Sequence, residues 1–174
     1  MHTIIIPYCD TNSSFRLRNL FKVIKNYKTI APEYEIIIIE QNGSNQLENI
    51  IEDEYKCKYL HVTLPYETFH KTKLLNIAID NCDNNHFIMA DADCIVTKNA
   101  IESINSEHDK GSILYPFNSV DYYSETHTRQ LVSNIPVMKS YKIDRGLPIK
   151  RFTGMINCFN RTTFNKVGGF DEGI

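Results

Sequence analysis

The sequence predicts an α/β domain built on a mostly parallel β-sheet flanked by helices. Short β-branched and apolar runs alternate with longer segments in which apolar residues recur every three or four positions. The apolar runs contain few polar residues, which is typical of strands buried on both faces of a parallel sheet. Neither an internal repeat nor a composition break divides the chain, so we expect a single domain over residues 1–174.

The beginning of the chain predicts a right-handed βαβ unit. Residues 3–6 form a β-branched run that Pro7 stops, and residues 35–40 form a second such run. The apolar residues of 15–27 lie three and four positions apart, as on one face of an amphipathic helix. When a helix joins two parallel strands, the connection is almost always right-handed, and this fixes the topology of the unit.

The same two periodicities predict the rest of the chain. Between residues 117 and 150 the pattern is weak, and we expect one or two helices with loops. The other predicted elements are a short helix at 46–55, a strand at 58–62, a helix at 70–81, a strand at 86–90, a helix at 98–106, a strand at 112–115, a strand at 155–159, a helix at 161–167 and a loop at 168–172.

Composition excludes several functional classes. A formal net charge of −2 gives no global field for nucleic acid, so we expect no nucleic-acid partner. Five cysteines without a C-x-x-C spacing argue against a disulfide framework and a zinc knuckle, and favour a reducing, cytoplasmic location. We find no signal peptide and no apolar run of twenty residues, so we expect no integral membrane segment, although peripheral association with a membrane is compatible with the sequence.

Two carboxylates stand where the predicted strand 86–90 ends. Asp91 and Asp93 follow it one residue apart, and ligands of open α/β sheets bind beyond the carboxyl ends of strands. Paired carboxylates there suit a hard divalent cation that carries phosphate oxygens. Short motifs have high false-positive rates, so the pair taken alone is better explained as a strand ending in a turn.

A phosphate-binding role would require cationic side chains, because the chain has no glycine-rich nucleotide motif. Lys71 precedes the strand 86–90 by one helix and is a candidate, with a solvated surface position as the alternative. Arg16, Arg18 and Lys73 are predicted to lie on solvated helix faces. The N-terminus of the helix that begins near His70 would also favour an anion.

Other chemistries fit less well. An acid–base pair for glycoside hydrolysis needs carboxyl groups about 5–9 Å apart on either side of a bond, whereas Asp91 and Asp93 converge on one small site. The six histidines lack the H-E-x-x-H spacing, and no cysteine or serine lies in a nucleophile signature.

Six segments together resemble the family-two glycosyltransferases and their β-galactosyltransferase and N-acetylgalactosaminyltransferase relatives. The resemblance implies the GT-A nucleotide-diphospho-sugar transferase fold. It also implies transfer of a sugar from a UDP-sugar to a hydroxyl of a glycan or lipid-linked sugar acceptor. The matching segments are the opening strand at 4–8, the second strand at 37–44, the aromatic-basic segment and helix at 69–78, the Asp-x-Asp motif at 91–93, the acceptor-side strand at 152–155 and the loop at 167–172.

The resemblance also implies a role for each matching residue. Asp93, with Asp91, would bind Mn²⁺ or Mg²⁺, and Asp91 would approach the ribose or a metal-bound water. Gly154 and Met155 would lie on the acceptor side. The residues expected to contact the donor are Pro7, Tyr8, Asp10, Glu40, Gln41, Phe69, Lys71, Asp91 and Ala92.

One part of the family pattern is missing. The catalytic base of an inverting transferase would be a carboxylate in an acidic cluster shortly after the Gly-Gly-Phe-Asp segment, and Asp171 and Glu172 do not match its position. We therefore expect the base to lie beyond Ile174, in a domain incomplete at its C-terminal end. The alternatives are a donor-binding module without turnover and a sugar-phosphate nucleotidyltransferase, which would need a glycine-rich loop after the first strand.

Overall fold

The structure is a computed structural model in which the chain forms two compact units. One unit comprises Met1–Pro116 with Gly154–Ile174, and the other comprises Phe117–Thr153. The prediction of a single domain over 1–174 stays a prediction. The structure describes residues 1–9, 14–42, 47–64, 68–108, 113–117, 119–133 and 155–173.

The described residues of the first unit form a five-stranded sheet in the order β3-β2-β1-β4-β5. The first four strands run parallel, and β5 runs antiparallel to β4. This arrangement confirms the predicted mostly parallel sheet, with one reversed strand at its edge. The strands are β1 (His2–Cys9), β2 (Glu35–Gln41), β3 (Lys58–Val62), β4 (His86–Ala90) and β5 (Ile156–Asn160).

The helices lie close to their predicted positions. The segment predicted as a short helix at 46–55 contains a π-helical stretch, Ile50–Glu54, in which the Tyr55 N–H donates to the Ile50 carbonyl five residues back over 3.2 Å. The second unit contributes α4, whose N-cap Ser124 accepts a hydrogen bond from the His127 N–H. The α-helices are α1 (Ser14–Ile30), α2 (Lys71–Asp80), α3 (Lys98–Glu107), α4 (Glu125–Val132) and α5 (Arg161–Val167).

The core forms on both faces of the central strands. All residues of β1 except the last are buried, and all residues of β2 except the first are buried. On one face, Leu74 and Ala78 of α2 pack against Ile5 and Ile37 of the sheet. The continuous apolar runs therefore have the two-sided burial that the sequence predicts.

The predicted strand at 112–115 is wrong as an extended element. Among its described residues only Leu114 pairs, through reciprocal hydrogen bonds of 2.8 and 2.9 Å with Cys158 of β5. Residue 112 lies outside the described residues. Ile113 and Tyr115, on either side of Leu114, are about half exposed, so neither gains the burial that would extend the ladder.

The strand register brings the predicted site residues to one edge of the sheet. Parallel pairing of β1 with β4 ends at Ile5 and Met89. Pro7, still within β1, and Asp91, just past the end of β4, each follow two residues later and therefore lie side by side. On the other side of β1, Cys9 pairs with Gln41, the last residue of β2. The carboxyl ends of three strands thus meet where α/β folds bind ligands.

Candidate functional site

A cleft of about 270 Å³ opens at this carboxyl edge. It is formed by the end of β1, the first turns of α1, the residues at the start of α2 and the turn after β4. Two carboxylates and two cationic side chains face it together, so the cleft suits a ligand that carries both anionic groups and a metal ion. Among the described residues, its lining comprises Pro7, Arg16, Asn19, Phe69, Lys71, Asp91, Ala92 and Asp93.

The turn after β4 is held in place from two sides. The Asp91 N–H donates to the carbonyl of Met155 over 3.0 Å, which ties the turn to the residue preceding β5. The Cys94 N–H donates to the Asp91 carbonyl over 3.2 Å and closes the turn. Beyond it, the Asn26 side chain of α1 exchanges two hydrogen bonds with the backbone of Val96, at 3.1 and 3.2 Å. The two Asp side chains are therefore carried on a fixed backbone.

Lys71, at the first position of α2, forms an ion pair with Asp91. Both side chains are about one-third exposed. Burial raises the pKa of the Asp91 carboxyl, the Lys71 ammonium acts in the opposite direction, and the neighbouring Asp93 raises it further. Asp91 thus lies where a second cation would be favourable, because both burial and Asp93 disfavour its uncompensated negative charge.

The donor atoms at this turn fit a hard divalent cation. Oxygen atoms of Asp91 and Asp93 and the sulfur of Cys94 lie within 4.8 Å of one another. Burial, with the nearby carboxylates, raises the pKa of the Cys94 thiol to about 12, and sulfur is a soft ligand that Mg²⁺ and Mn²⁺ do not prefer. Two carboxylates remain, a set that suits Mn²⁺ or Mg²⁺ completed by water and phosphate oxygens.

Gln41 positions the segment that leads into α2. Its amide nitrogen donates to the Thr68 carbonyl over 2.8 Å, and its amide oxygen accepts from the His70 N–H over 2.8 Å. Gln41 is only 1% exposed and therefore supports the cleft from the protein interior. The two hydrogen bonds hold the backbone on both sides of Phe69, whose ring is 40% exposed at the cleft.

Six predicted site residues lie elsewhere than on the cleft wall, or outside the described residues. Two of them, Gln41 and Met155, support the cleft through the hydrogen bonds given above. The Tyr8 side chain is buried in the core. Glu40 is 1% exposed and accepts a hydrogen bond from the Tyr59 hydroxyl. Asp10 and Gly154 lie outside the described residues. Tyr8 and Glu40 thus occupy interior positions, Tyr8 next to the cleft residue Pro7 and Glu40 next to the buried Gln41.

Arg16 and Asn19 line the cleft, and sequence reasoning missed both. Arg16 was predicted to lie on a solvated helix face; it is exposed, and the surface it faces is the cleft. A positional signal was available, because α1 begins shortly after β1 and its first turn must therefore lie near the carboxyl edge of the sheet. Which side of that turn faces the cleft depends on the rotation of the helix against the sheet.

The loop after α5 is attached to α2 through Asn76. The Phe170 N–H donates to the Asn76 side-chain oxygen over 2.9 Å, and the amide nitrogen donates to the Phe170 carbonyl and to Glu172 over 3.0 and 2.7 Å. Gly168 and Gly169 have φ of +81° and +86°, and a Cβ at Gly169 would lie 3.2 Å from Asn76 Oδ1. The paired glycines thus end α5 and permit this close approach.

This sheet order, with the ligand cleft at its carboxyl edge, is that of the GT-A nucleotide-sugar transferase fold. The mannosyltransferase PcManGT from Pyrobaculum calidifontis, in complex with GDP-Man and Mn²⁺, is similar with a TM-score of 0.59 and 14% identity. The similarity covers 99% of this chain and 48% of that one. At this identity it demonstrates the fold alone, and the predicted fold class is confirmed.

The sequence matches the glycosyl transferase family 2 over residues 3–170, and the chain therefore belongs to that family. No curated protein sequence gives a significant match. The fragment 1–349 of TarS from S. aureus is similar with a TM-score of 0.47 and 14% identity, over 63% of this chain and 32% of that fragment. This chain thus spans between about a third and a half of these proteins. The resemblance to the galactosyltransferase branch stays a prediction.

None of the helices among the described residues combines the length and the apolarity needed to cross a bilayer.

Proposed function

We propose that this protein transfers a sugar from a UDP-sugar to a hydroxyl acceptor, with Mn²⁺ or Mg²⁺ bound by Asp93 and Asp91. The observation that carries the proposal is the cleft in which two carboxylates and two cationic side chains converge at the carboxyl edge of the sheet. Carboxylates alone would repel a diphosphate, and cations alone would leave no ligand for a metal. The combination suits a metal–diphosphate complex.

In this proposal each cleft residue has a separate contact with the donor. Lys71 and Arg16 contact the diphosphate oxygens, and the N-terminus of α2 adds its partial positive charge there. Phe69 and Pro7 provide apolar surface for the uridine, and Ala92 leaves room for the ribose between the two Asp side chains. Gln41 fixes the segment that carries Phe69 and Lys71, while Tyr8 and Glu40 act by packing from the interior.

The bound metal would supply Lewis-acid stabilisation of the departing diphosphate. The protein residues have the remaining tasks. When the diphosphate arrives, the Lys71 ammonium exchanges Asp91 for phosphate oxygens and neutralises part of the charge that develops on the leaving group. Asp91 is then available to the metal and the ribose.

The acceptor hydroxyl would approach from the side of Met155, whose carbonyl holds the Asp91 N–H. The acceptor-side role of Gly154 and Met155, the glycan or lipid-linked acceptor and the inverted product all remain part of the proposal. So does a cytoplasmic location.

Titration calorimetry with UDP, with and without MnCl₂, tests the donor site. We expect Mn²⁺ to tighten UDP binding at least tenfold in the unmodified protein, and Asp93→Ala to abolish this gain because the variant loses a metal ligand. Asp83→Ala is the matched control, since Asp83 is an exposed residue on the segment that precedes the amino end of β4. Binding of UDP that is independent of Mn²⁺, or equal effects of the two substitutions, would count against the proposal.

The same titration with GDP tests the choice of nucleotide. We expect UDP to bind more tightly; tighter binding of GDP would retain the metal site and overturn the UDP assignment. A screen for release of UDP from UDP-sugars then separates the transferase from a donor-binding module. Metal-dependent binding of UDP without hydrolysis or transfer would identify the module.

A further inference from the structure

We propose that His2, His86 and His108 form a second metal site, for Zn²⁺, at the amino edge of the sheet. The three rings are neighbours: their centroids are 5.2 Å apart for His2 and His86, 4.8 Å for His2 and His108, and 4.5 Å for His86 and His108. One nitrogen of each ring lies within 4.8 Å of the corresponding nitrogens of the other two.

These distances are close to those of a bound ion. Zn²⁺ binds imidazole nitrogen at about 2.0–2.1 Å, so ligand nitrogens around a tetrahedral ion are about 3.4 Å apart. Binding of the ion would close the remaining gap by rotation of the side chains. The rings of His86 and His108 are nearly perpendicular, at 87°, so the edge of one ring meets the face of the other.

The backbone holds the three residues on separate but fixed elements. His2 opens β1 and His86 opens β4, and the two are direct partners in the parallel register. His108 follows α3, where its N–H donates to the Ile104 carbonyl. His2 is only 5% exposed, and the other two are intermediate. Two ligands thus stand on adjacent strands of the sheet and the third on the end of a helix.

The hydrogen bond of His108 selects the tautomer that binds a metal. Its Nδ1 lies 2.9 Å from the carbonyl oxygen of Asn105. A carbonyl only accepts, so Nδ1 carries the proton in this hydrogen bond, and Nε2 is the nitrogen that would bind a metal in this tautomer. Metal-binding histidines commonly donate their second nitrogen to a backbone carbonyl in this way.

Tyr34 fixes the surroundings of the cluster. Its ring stacks on His2 with centroids 4.8 Å apart and an angle of 29° between the planes. Its hydroxyl donates to the side-chain oxygen of Asn105, the residue whose carbonyl orients His108. One aromatic residue therefore links the supports of two of the three ligands.

The ligand type separates this site from the cleft. Three imidazoles favour Zn²⁺ over Mg²⁺ and Mn²⁺, which prefer the oxygen ligands of Asp91 and Asp93. Along β1, His2 precedes Pro7 by five residues, so the sites are roughly 17 Å apart. A tetrahedral ion would have a fourth position for water, and its binding would tie α3 to β1 and β4.

Thermal unfolding with ZnCl₂ tests the site. At a Zn²⁺ concentration one hundred times its Kd, we expect the Tm to rise by about 5–10 °C, because an ion that binds only the folded state stabilises it. His108→Ala should lose most of this shift, since it removes one of three ligands on a part-exposed residue at a helix end. His61→Ala, which removes an exposed histidine from β3, is the matched control and should retain it.

Two further measurements test whether Zn²⁺ binds at the histidines rather than in the donor cleft. They also distinguish loss of a metal ligand in His108→Ala from lower stability of that variant. Asp93→Ala should retain the Zn²⁺-induced shift, so the result does not depend on the donor cleft. Substitution with Co²⁺ should give the visible absorption of a tetrahedral nitrogen site in the unmodified protein, and His86→Asn should lose it if His108→Ala is too unstable to compare. An absent Zn²⁺ shift overturns the proposal, and so does an equal shift in His108→Ala and the unmodified protein.

Discussion

Lys71 is the residue that connects the carboxylates of the cleft to its cationic side. Its ammonium group is paired with Asp91, so the cleft already contains one neutralised carboxylate before any ligand arrives. If the proposed donor binds, this cation has to exchange one anionic partner for another. The affinity for nucleotide then depends on the position of a single side chain that the start of α2 holds at the cleft.

We predict that Lys71→Met raises the Kd for UDP roughly 10- to 100-fold, because a hydrogen bond to a charged group contributes about 1.5–3 kcal/mol. The measurement is titration calorimetry in the presence of MnCl₂. Lys73→Met is the matched control, since Lys73 follows two residues later on the same helix and is not among the residues that line the cleft. Similar losses in both variants would show that Lys71 has no special contact.

Tyr27 carries a buried hydroxyl beneath the Asp-x-Asp turn. Its side chain is 0% exposed, and within the described residues the hydroxyl has no hydrogen-bond partner. Burial raises the pKa of this phenol, and Cys94 and Asp91 raise it further. The hydroxyl is therefore neutral and close to the turn, and it has lost its contact with water.

We predict that Tyr27→Phe raises the free energy of unfolding by about 1 kcal/mol, because it removes a buried polar group without opening a cavity. Urea unfolding measures the change. In Tyr59→Phe, the control, we expect a loss of about 1–3 kcal/mol because the Tyr59 hydroxyl donates to the buried Glu40 carboxylate. A clear loss in Tyr27→Phe would reveal a hydrogen bond to the turn.

At the level of single residues, sequence reasoning identified the carboxylates and Lys71 from their positions. The carboxylates follow a predicted strand and Lys71 lies at the start of a predicted helix, so all of them are expected at the carboxyl edge of the sheet. Sequence reasoning did not identify Arg16, because the pattern of α1 is compatible with several rotations of the helix about its axis. For Tyr8 and Glu40, strand alternation decides which face each side chain takes, and the sequence of a strand buried on both faces does not distinguish them.

At the level of elements, Arg161 joins α5 to the end of α2. Its guanidinium donates to the carbonyls of Ile79 and Asn84 over 3.2 and 3.1 Å and to that of Cys82. It also lies 4.9 Å from the centre of the Phe87 ring. These carbonyls end α2 and the segment after it, where a cation is favoured by the helix dipole.

We predict that Arg161→Met lowers the free energy of unfolding by about 3 kcal/mol, because several carbonyls lose a charged donor together. The measurement is urea unfolding followed by circular dichroism. Arg129→Met is the control: Arg129 pairs with Glu125 on α4, and both side chains are more than 60% exposed, so a change near zero is expected. Equal effects would indicate that Arg161 acts only as a surface charge.

The elements themselves follow from periodicity, since strands β1 to β4 and helices α1 to α3 lie within a few residues of their predicted positions. Two features were not predictable in this way. The sequence of a five-residue strand does not show its direction in the sheet, so the antiparallel course of β5 depends on its partner β4. The π-helical stretch Ile50–Glu54 depends on local hydrogen bonding, which the spacing of apolar residues in the sequence does not reveal.

On the scale of the whole molecule, the parallel sheet separates two kinds of chemistry along the same strands. Oxygen ligands and cations gather at its carboxyl edge, and imidazoles gather at its amino edge. The strands β1 and β4 contribute to both ends, because each begins with a histidine and ends before a cleft residue or beside one. A metal at one edge can therefore stabilise the framework that carries the other.

The α/β class, the order of the strands and helices and the position of the Asp-x-Asp motif at a strand end were predictable from the amino-acid sequence. These depend on local patterns, which a linear chain displays directly. Three contacts became visible in the folded chain alone: Arg16 faces the cleft, Lys71 pairs with Asp91, and three histidines distant in sequence meet at one edge. Helix rotation, strand register and the packing of α3 set those contacts, and all three are relations between elements that no local pattern contains.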